Sequence, residues 1–235
     1  MTNLKSLPVF CAIDTVDLAQ AKAWVGVAVK AGFGLKFGKE FFTAHGPAAV
    51  RRLRPDGVPL FLDMKFHDIP NTVRGAVRAA VKSVAPTFIT VHASGGAAML
   101  RAAVEGADEA VGILAVTVLT SLSVDDLAAQ GISEAPDTHV LRLGRLAADN
   151  GAAGVIAAAY EIASLRLALP RALQLVIPGI RLSERVKNDD QKRIMGPREA
   201  LRLGANWLVI GRPITAAPDP AQAAQRIVDL IADHV

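Results

Sequence analysis

The sequence predicts a single-domain (β/α)8 barrel spanning residues 1–235, and three observations carry that prediction. Short apolar runs recur eight times along the chain, helix-like stretches separate them, and the length suits eight strand–helix units. Strand–helix alternation implies a parallel sheet, because parallel neighbours need crossover connections. An open doubly wound sheet alternates in the same way but binds nucleotides through a glycine-rich first turn. Gly32, Gly34 and Gly38 do not fit G-x-G-x-x-G, and no G-x-x-x-x-G-K-[ST] phosphate loop occurs.

The strand-like runs are VFCAID (9–14), GLKFG (34–38), LFLDMKF (60–66), TFITVHA (87–93), GILAVTVL (112–119), GVIAAAY (154–160), LQLVIPGI (173–180) and WLVIGRPI (207–214). Between the first two lies the helix-like TVDLAQAKAWVGVAVKA. After the third comes PNTVRGAVRAAVKSV, in which Val73, Val77, Ala80, Val81 and Val84 share one face at three- and four-residue spacing. Pro70 and Asn71 sit where a helix starts. No linker, repeat or low-complexity segment interrupts the pattern.

Hydrophobic residues make up 51% and charged residues 20%, a balance that excludes a disordered chain. The one cysteine, Cys11, cannot form an internal disulfide, and its apolar setting predicts a buried side chain rather than a nucleophile. The N-terminus lacks a signal-peptide pattern, and no run approaches the ~20 apolar residues of a membrane span, so a cytoplasmic location is expected. Net charge is only +4, and the arginines are scattered rather than clustered with aromatics. That pattern predicts no nucleic-acid partner and fits an anionic small substrate.

The third run is the informative one. Asp63 and Lys65 stand two apart and so point to one side of the strand, while Leu62, Met64 and Phe66 point to the other. The charged pair then faces the barrel axis near the strand's C-terminal end, where barrel active sites lie. A buried structural ion pair is the alternative, although desolvation makes such pairs weak stabilisers. More charge converges here: Asp14 ends strand 1, Lys36 lies in strand 2 opposite Leu35 and Phe37, and Asp68 follows strand 3. Leaving aside Asp68 in the loop, four charges at adjacent strand ends exceed what packing requires, which points to catalysis.

Loops after strands 7 and 8 of such barrels often bind phosphate. Here they carry Gly179 with Arg181, and Gly211 with Arg212. Glycine lets backbone N–H groups approach an anion, and arginine offers a forked, charged grip. The polar segment 181–197 is long enough to act as a lid. His67 reads as structural, and His92, at the end of strand 4, is expected to border the pocket. No Cys/His cluster supports a zinc site, and no metal or other cofactor is predicted.

Taken together, AID (12–14), LKFGKEFFTAHGP (35–47), FLDMKFHDIPNTV (61–73), VHASGG (91–96), VTVLTS (116–121), PGIR (178–181), NDDQKRIMGP (188–197) and VIGRPIT (209–215) resemble the orotidine 5′-phosphate decarboxylases in order and place. The D-x-K-x-x-D run followed by IPNT is the most specific part. The resemblance implies a TIM barrel that converts orotidine 5′-phosphate to UMP and CO2, the last step of de novo UMP biosynthesis, without a cofactor. It implies Lys65 as the proton donor, with Asp63 near the reacting carboxylate. Asp14 and Lys36 would hold the ribose, Thr120 would approach the pyrimidine, and Arg181 and Gln191 would belong to a closing loop. Gly211 and Arg212 would bind phosphate. Asp68 and Thr72 would serve the partner's site in a homodimer.

Other readings remain open at this level. Metal-dependent sugar-phosphate decarboxylases and epimerases resemble the chain in D-x-K-x-x-D, although IPNT and the DDQ loop argue against them. A Schiff-base aldolase could use a strand lysine, but flanking aspartates keep Lys65 charged and non-nucleophilic. A nucleotide-sensing barrel without activity would keep the phosphate grip and lose the charged array.

Overall fold

The computed structural model of the chain describes residues 6–182 and 195–234. Eight strands close into a parallel barrel in sequence order: β1 (Val9–Ala12), β2 (Gly34–Gly38), β3 (Leu60–Phe66), β4 (Phe88–His92), β5 (Gly112–Val116), β6 (Gly154–Ile156), β7 (Gln174–Pro178) and β8 (Trp207–Ile210). The predicted (β/α)8 architecture is therefore the observed one. Among the described residues, no helix is long and apolar enough to cross a membrane.

The predicted helices form where their patterns place them. Asp17 caps the helix Leu18–Lys30 by accepting the N–H groups of Ala19 at 2.7 Å and Gln20 at 3.1 Å. The helix Pro70–Val84 starts on its proline and buries Val73, Val77, Ala80 and Val84. Val81 packs half-buried against the same core.

Strand alternation divides the apolar side chains into two cores. Leu35, Phe37, Leu62, Ile89 and Val91 face outward and pack with the helices. Phe10, Phe61, Phe88, Leu114, Val176 and Val209 face inward. Phe10 meets Phe61, Phe88 and Trp207 edge-on or tilted, with ring centroids 4.8–6.0 Å apart, and these rings fill the barrel floor. Small residues make room for them. A Cβ on Gly34 would lie 2.6 Å from the Phe10 ring, and one on Gly112 would lie 2.7 Å from that of Phe88.

Six strands, β1 and β4 to β8, end earlier than predicted. β1 stops at Ala12, although the Ile13 N–H still donates to the Lys36 carbonyl. β5 stops at Val116 because β6 is only three residues long, and its last residue, Ile156, pairs with Val116. Thr117 then donates both its N–H and its hydroxyl to the Ile156 carbonyl, and the chain leaves the ladder. Beyond β6, Ala159–Glu161 forms a 3-10 turn into the helix Ile162–Ala168. Beyond β8, Arg212–Thr215 coils into one short helical turn, where Pro213 has no N–H to extend a ladder.

Cys11 is fully buried, and burial, aided by the charge of Asp14, pushes its thiol up to about 12. It carries no thiolate at neutral pH, as its apolar setting predicts.

β6 tolerates no added bulk at Gly154, where a Cβ would lie 2.4 Å from the Gln174 carbonyl oxygen of β7. Backbone cannot yield as a flexible side chain can. Gly154→Ala should cost about 1–3 kcal/mol and lower the melting temperature by roughly 2–10 °C in a thermal scan. Gly26, exposed within the helix Leu18–Lys30 with open space around it, is the control. Gly26→Ala should leave the melting temperature level or raise it, by up to about 1 kcal/mol of helix propensity.

Candidate active site

Three neighbouring strands bring four charges together at the C-terminal mouth of the barrel. Lys36 projects from β2, Asp63 and Lys65 come from β3, and Asp14 follows β1. Lys36 Nζ lies 3.0 Å from Asp14 Oδ1 and 3.6 Å from Asp63 Oδ2. Lys65 Nζ lies 2.6 Å from that same Asp63 oxygen. The charges therefore run Asp14, Lys36, Asp63, Lys65, alternating in sign. Only Asp14 is widely exposed, while the side chains of Lys36 and Asp63 are 8% and 12% exposed.

Burial alone would push the Asp63 carboxyl up. Lys36, Lys65 and hydrogen bonds from Lys65 and Thr90 outweigh it and hold the group below the usual carboxylate range. Asp63 is thus an anion at any pH near neutrality.

The backbone beneath this array is irregular. Leu62 pairs with Ile89 and Phe66 with Val91, so β3 sets three residues, 63 to 65, against one residue of β4. Lys65 sits at φ +49°, in the left-handed region that non-glycine residues rarely adopt. Met64 and Phe66 nevertheless pack on the outer core, as strand alternation predicts.

The array forms part of the wall of a cavity of about 320 Å³. Apolar side chains including Phe61, Val116, Ile156 and Val209 also line it. Thr120 reaches it from the loop after β5, not from the strand itself, since β5 ends four residues earlier. The loops after β7 and β8 supply Gly179, Arg181, Gly211 and Arg212. Gly179 turns the chain at φ +80°, a conformation that suits glycine. Arg181 is buried, and its N–H donates to the Met195 carbonyl at 3.2 Å. The volume and the mix of apolar wall and convergent charge suit a small anionic ligand.

Of the predicted residues, Asp14, Lys36, Asp63, Lys65, Thr120, Arg181, Gly211 and Arg212 all line this cavity. Asp68 and Thr72 do not. Both are exposed, and Asp68 Oδ1 accepts the N–H of Ile69 at 2.6 Å. Gln191 and most of the expected lid lie outside the described residues. His92 ends β4 as predicted but is not on the cavity wall. Its ring meets that of His67 with centroids 5.4 Å apart. Among the described residues, no three His, Cys, Asp or Glu side chains group as a metal site.

Sequence reasoning missed two residues. Thr90 is fully buried and donates to Asp63 Oδ1 at 2.8 Å. The signal was a lone hydroxyl on the inward side of TFITVHA, which also reads as an ordinary strand former. Glu161 is 3% exposed and accepts the Ala158 N–H at 2.7 Å, just beyond Ala157 of the cavity wall.

The family model for "Orotidine 5'-phosphate decarboxylase / HUMPS family" matches residues 8–227. The chain belongs to this family. An orotidine 5′-phosphate decarboxylase of Anaeromyxobacter dehalogenans is 49% identical over 217 residues, which is 92% of this chain and 94% of the relative. One from Chromobacterium violaceum is 48% identical over 223 residues, 94% of this chain and 90% of the relative. The crystal structure of the Lactobacillus acidophilus orotidine 5′-phosphate decarboxylase superposes with a TM-score of 0.83 at 34% identity, covering 95% of this chain and 98% of that one. Family membership thus spans the barrel and every strand that carries the array.

Glu161 makes stability depend on pH in a defined direction. Burial pushes its carboxyl from 4.5 up to about 7, against hydrogen bonds from Ala158 and Tyr160 that lower it. The folded chain therefore keeps this proton where the unfolded chain has lost it. Its contribution is fully present below about pH 4.5 and is lost as pH rises through about 7. His92 acts in the opposite sense, since burial, then His67 and the nearby lysines, lower it from 6.5. Comparing variant with wild type cancels that effect. Relative to wild type, Glu161→Gln should gain thermal stability steadily between about pH 5 and pH 8 in buffer-scanned melts. A difference independent of pH would show that Glu161 does not titrate in this range.

Proposed function

We propose that the chain decarboxylates orotidine 5′-phosphate to UMP and CO2, the last step of de novo UMP biosynthesis, with Lys65 as the proton donor. The observation that carries this reading is the Lys65–Asp63 contact of 2.6 Å, backed by Lys36, in a cavity whose other loops present Arg181 and Arg212.

Breaking the bond from C6 to the carboxylate leaves the electron pair on C6. That pair lies in the ring plane, so the pyrimidine π system cannot readily absorb it. The charge is therefore stabilised electrostatically, by a fixed cation in a site of low dielectric. Lys65 supplies the ammonium and then gives its proton to C6. Asp63 orients it. Asp14 and Lys36 hold the ribose hydroxyls, and Thr120 meets the pyrimidine. Gly211 and Arg212 grip the phosphate, and Arg181 with Gln191 closes over it. No cofactor takes part.

Asp68 and Thr72 serve the partner's site in a homodimer. What supports this is that both are exposed and absent from the cavity wall of their own chain.

The direct test follows the ultraviolet absorbance of orotidine 5′-phosphate with purified protein, with and without EDTA. Loss of absorbance unaffected by EDTA is the expected result. Lys65→Ala should cut turnover by about 1000-fold or more while the protein stays folded. Turnover within about tenfold of wild type would remove Lys65 from the mechanism. EDTA-sensitive turnover of a sugar phosphate, with no decarboxylation of the nucleotide, would favour a metal-dependent relative of the same barrel.

Subunit mixing tests the shared site. Lys65→Ala and Asp68→Ala proteins should each be nearly inactive. In a mixed dimer one site carries both lesions and the other carries neither. Random pairing makes half the dimers mixed, so about a quarter of all sites should recover. If Asp68 served its own chain, every site would keep a lesion and mixing would restore nothing.

A further inference from the structure

Thr90 is fully buried on β4, between Ile89 and Val91, which both face the outer core. Its side chain therefore faces the barrel interior, opposite the irregular stretch of β3. There β3 offers Asp63, Met64 and Lys65 where β4 offers Thr90 alone. The hydroxyl uses both of its capacities. It accepts the Lys65 backbone N–H at 2.9 Å and donates to Asp63 Oδ1 at 2.8 Å. The other oxygen of Asp63 receives Lys65 Nζ at 2.6 Å.

These contacts close a ring. It runs from the Lys65 N–H through the Thr90 hydroxyl to one oxygen of Asp63, and from the other oxygen back to the Lys65 ammonium. We infer that Thr90 is a positioning residue for the proposed proton transfer, tying both ends of Lys65 to the Asp63 carboxylate. Two degrees of freedom are removed at once. The Asp63 carboxylate cannot rotate without losing the hydroxyl, and the Lys65 backbone is held at φ +49°, which it would otherwise relax. In the chain N–H to O–H to carboxylate, each bond also polarises the next. The inference rests on the decarboxylase reading for its consequence, but the ring itself stands on the contacts.

The test compares Thr90→Val, which keeps the shape and loses the hydroxyl, with Thr90→Ser, which keeps the hydroxyl and loses the methyl. Thr90→Val should lower kcat by about 10- to 100-fold, with KM and UMP affinity changed by less than about threefold. Thr90→Ser should return kcat to within about threefold of wild type. Lys65 amide exchange, read by NMR, should be slow in wild type and Ser and fast in Val. If Thr90→Val does not fold, Thr90→Cys, a weak donor and acceptor, replaces it in the same comparison. The inference is overturned if the hydroxyl-free variant matches wild type in kcat and amide protection. It is also overturned if Ser is as impaired as Val, which would assign the effect to packing. A wild-type protein that does not decarboxylate the nucleotide would instead refute the functional reading, while the amide exchange would still report on the ring.

Discussion

One carboxylate holds the mouth of the barrel together. Asp63 stands between two lysines, in contact with Lys65 at 2.6 Å and Lys36 at 3.6 Å, with little access to water. Without it, two ammonium groups would face each other with no anion between them. The carboxylate thus fixes where the Lys65 ammonium sits. Networks of this kind add little to stability, because desolvation offsets the attraction. The proposed chemistry, rather than folding, accounts for its place in the interior.

The rest of the barrel supplies the rigidity that such a network requires. Aromatic rings fill the floor, and the glycines beneath them leave no slack. Above that floor β3 departs from regular pairing, and Lys65 takes a backbone conformation that costs energy in isolation. A strained residue persists only where its surroundings over-determine it. Thr90 and Asp63 do so here, one through the Lys65 backbone and the other through its ammonium.

The fold was largely legible because a parallel barrel repeats one local rule. Apolar strand runs marked all eight strands, and β2 and β3 have the predicted limits. Strand ends were less legible, because they depend on a neighbour. β5 ends where β6 has no more backbone to offer, and nothing within GILAVTVL says so. Most of the site was legible too, since residues two apart share a face and the order of strands is the order of the chain. Asp14, Lys36, Asp63 and Lys65 followed from that alone. Thr90 did not, because its meaning lies in a register shift between strands that are more than twenty residues apart. Glu161 sits in AAYEIAS and resembles an ordinary helix start until burial is known.

The arrangement separates holding from reacting. Arg181 and Arg212 belong to the loops after β7 and β8, whereas Asp63 and Lys65 belong to β3, and apolar residues of the inner core share the wall with both. In the proposed reaction, a substrate anchored by its phosphate at one end would be oriented at the other. The apolar part of the wall matters as much as the charges. Phe61, Val116, Ile156 and Val209 offer no side-chain hydrogen bonds to a ligand. A cation acting across such a surface is screened far less than in water. In the proposed reaction the ammonium that meets the carbanion is that of Lys65, and the ring of contacts through Asp63 and Thr90 is what holds it in place.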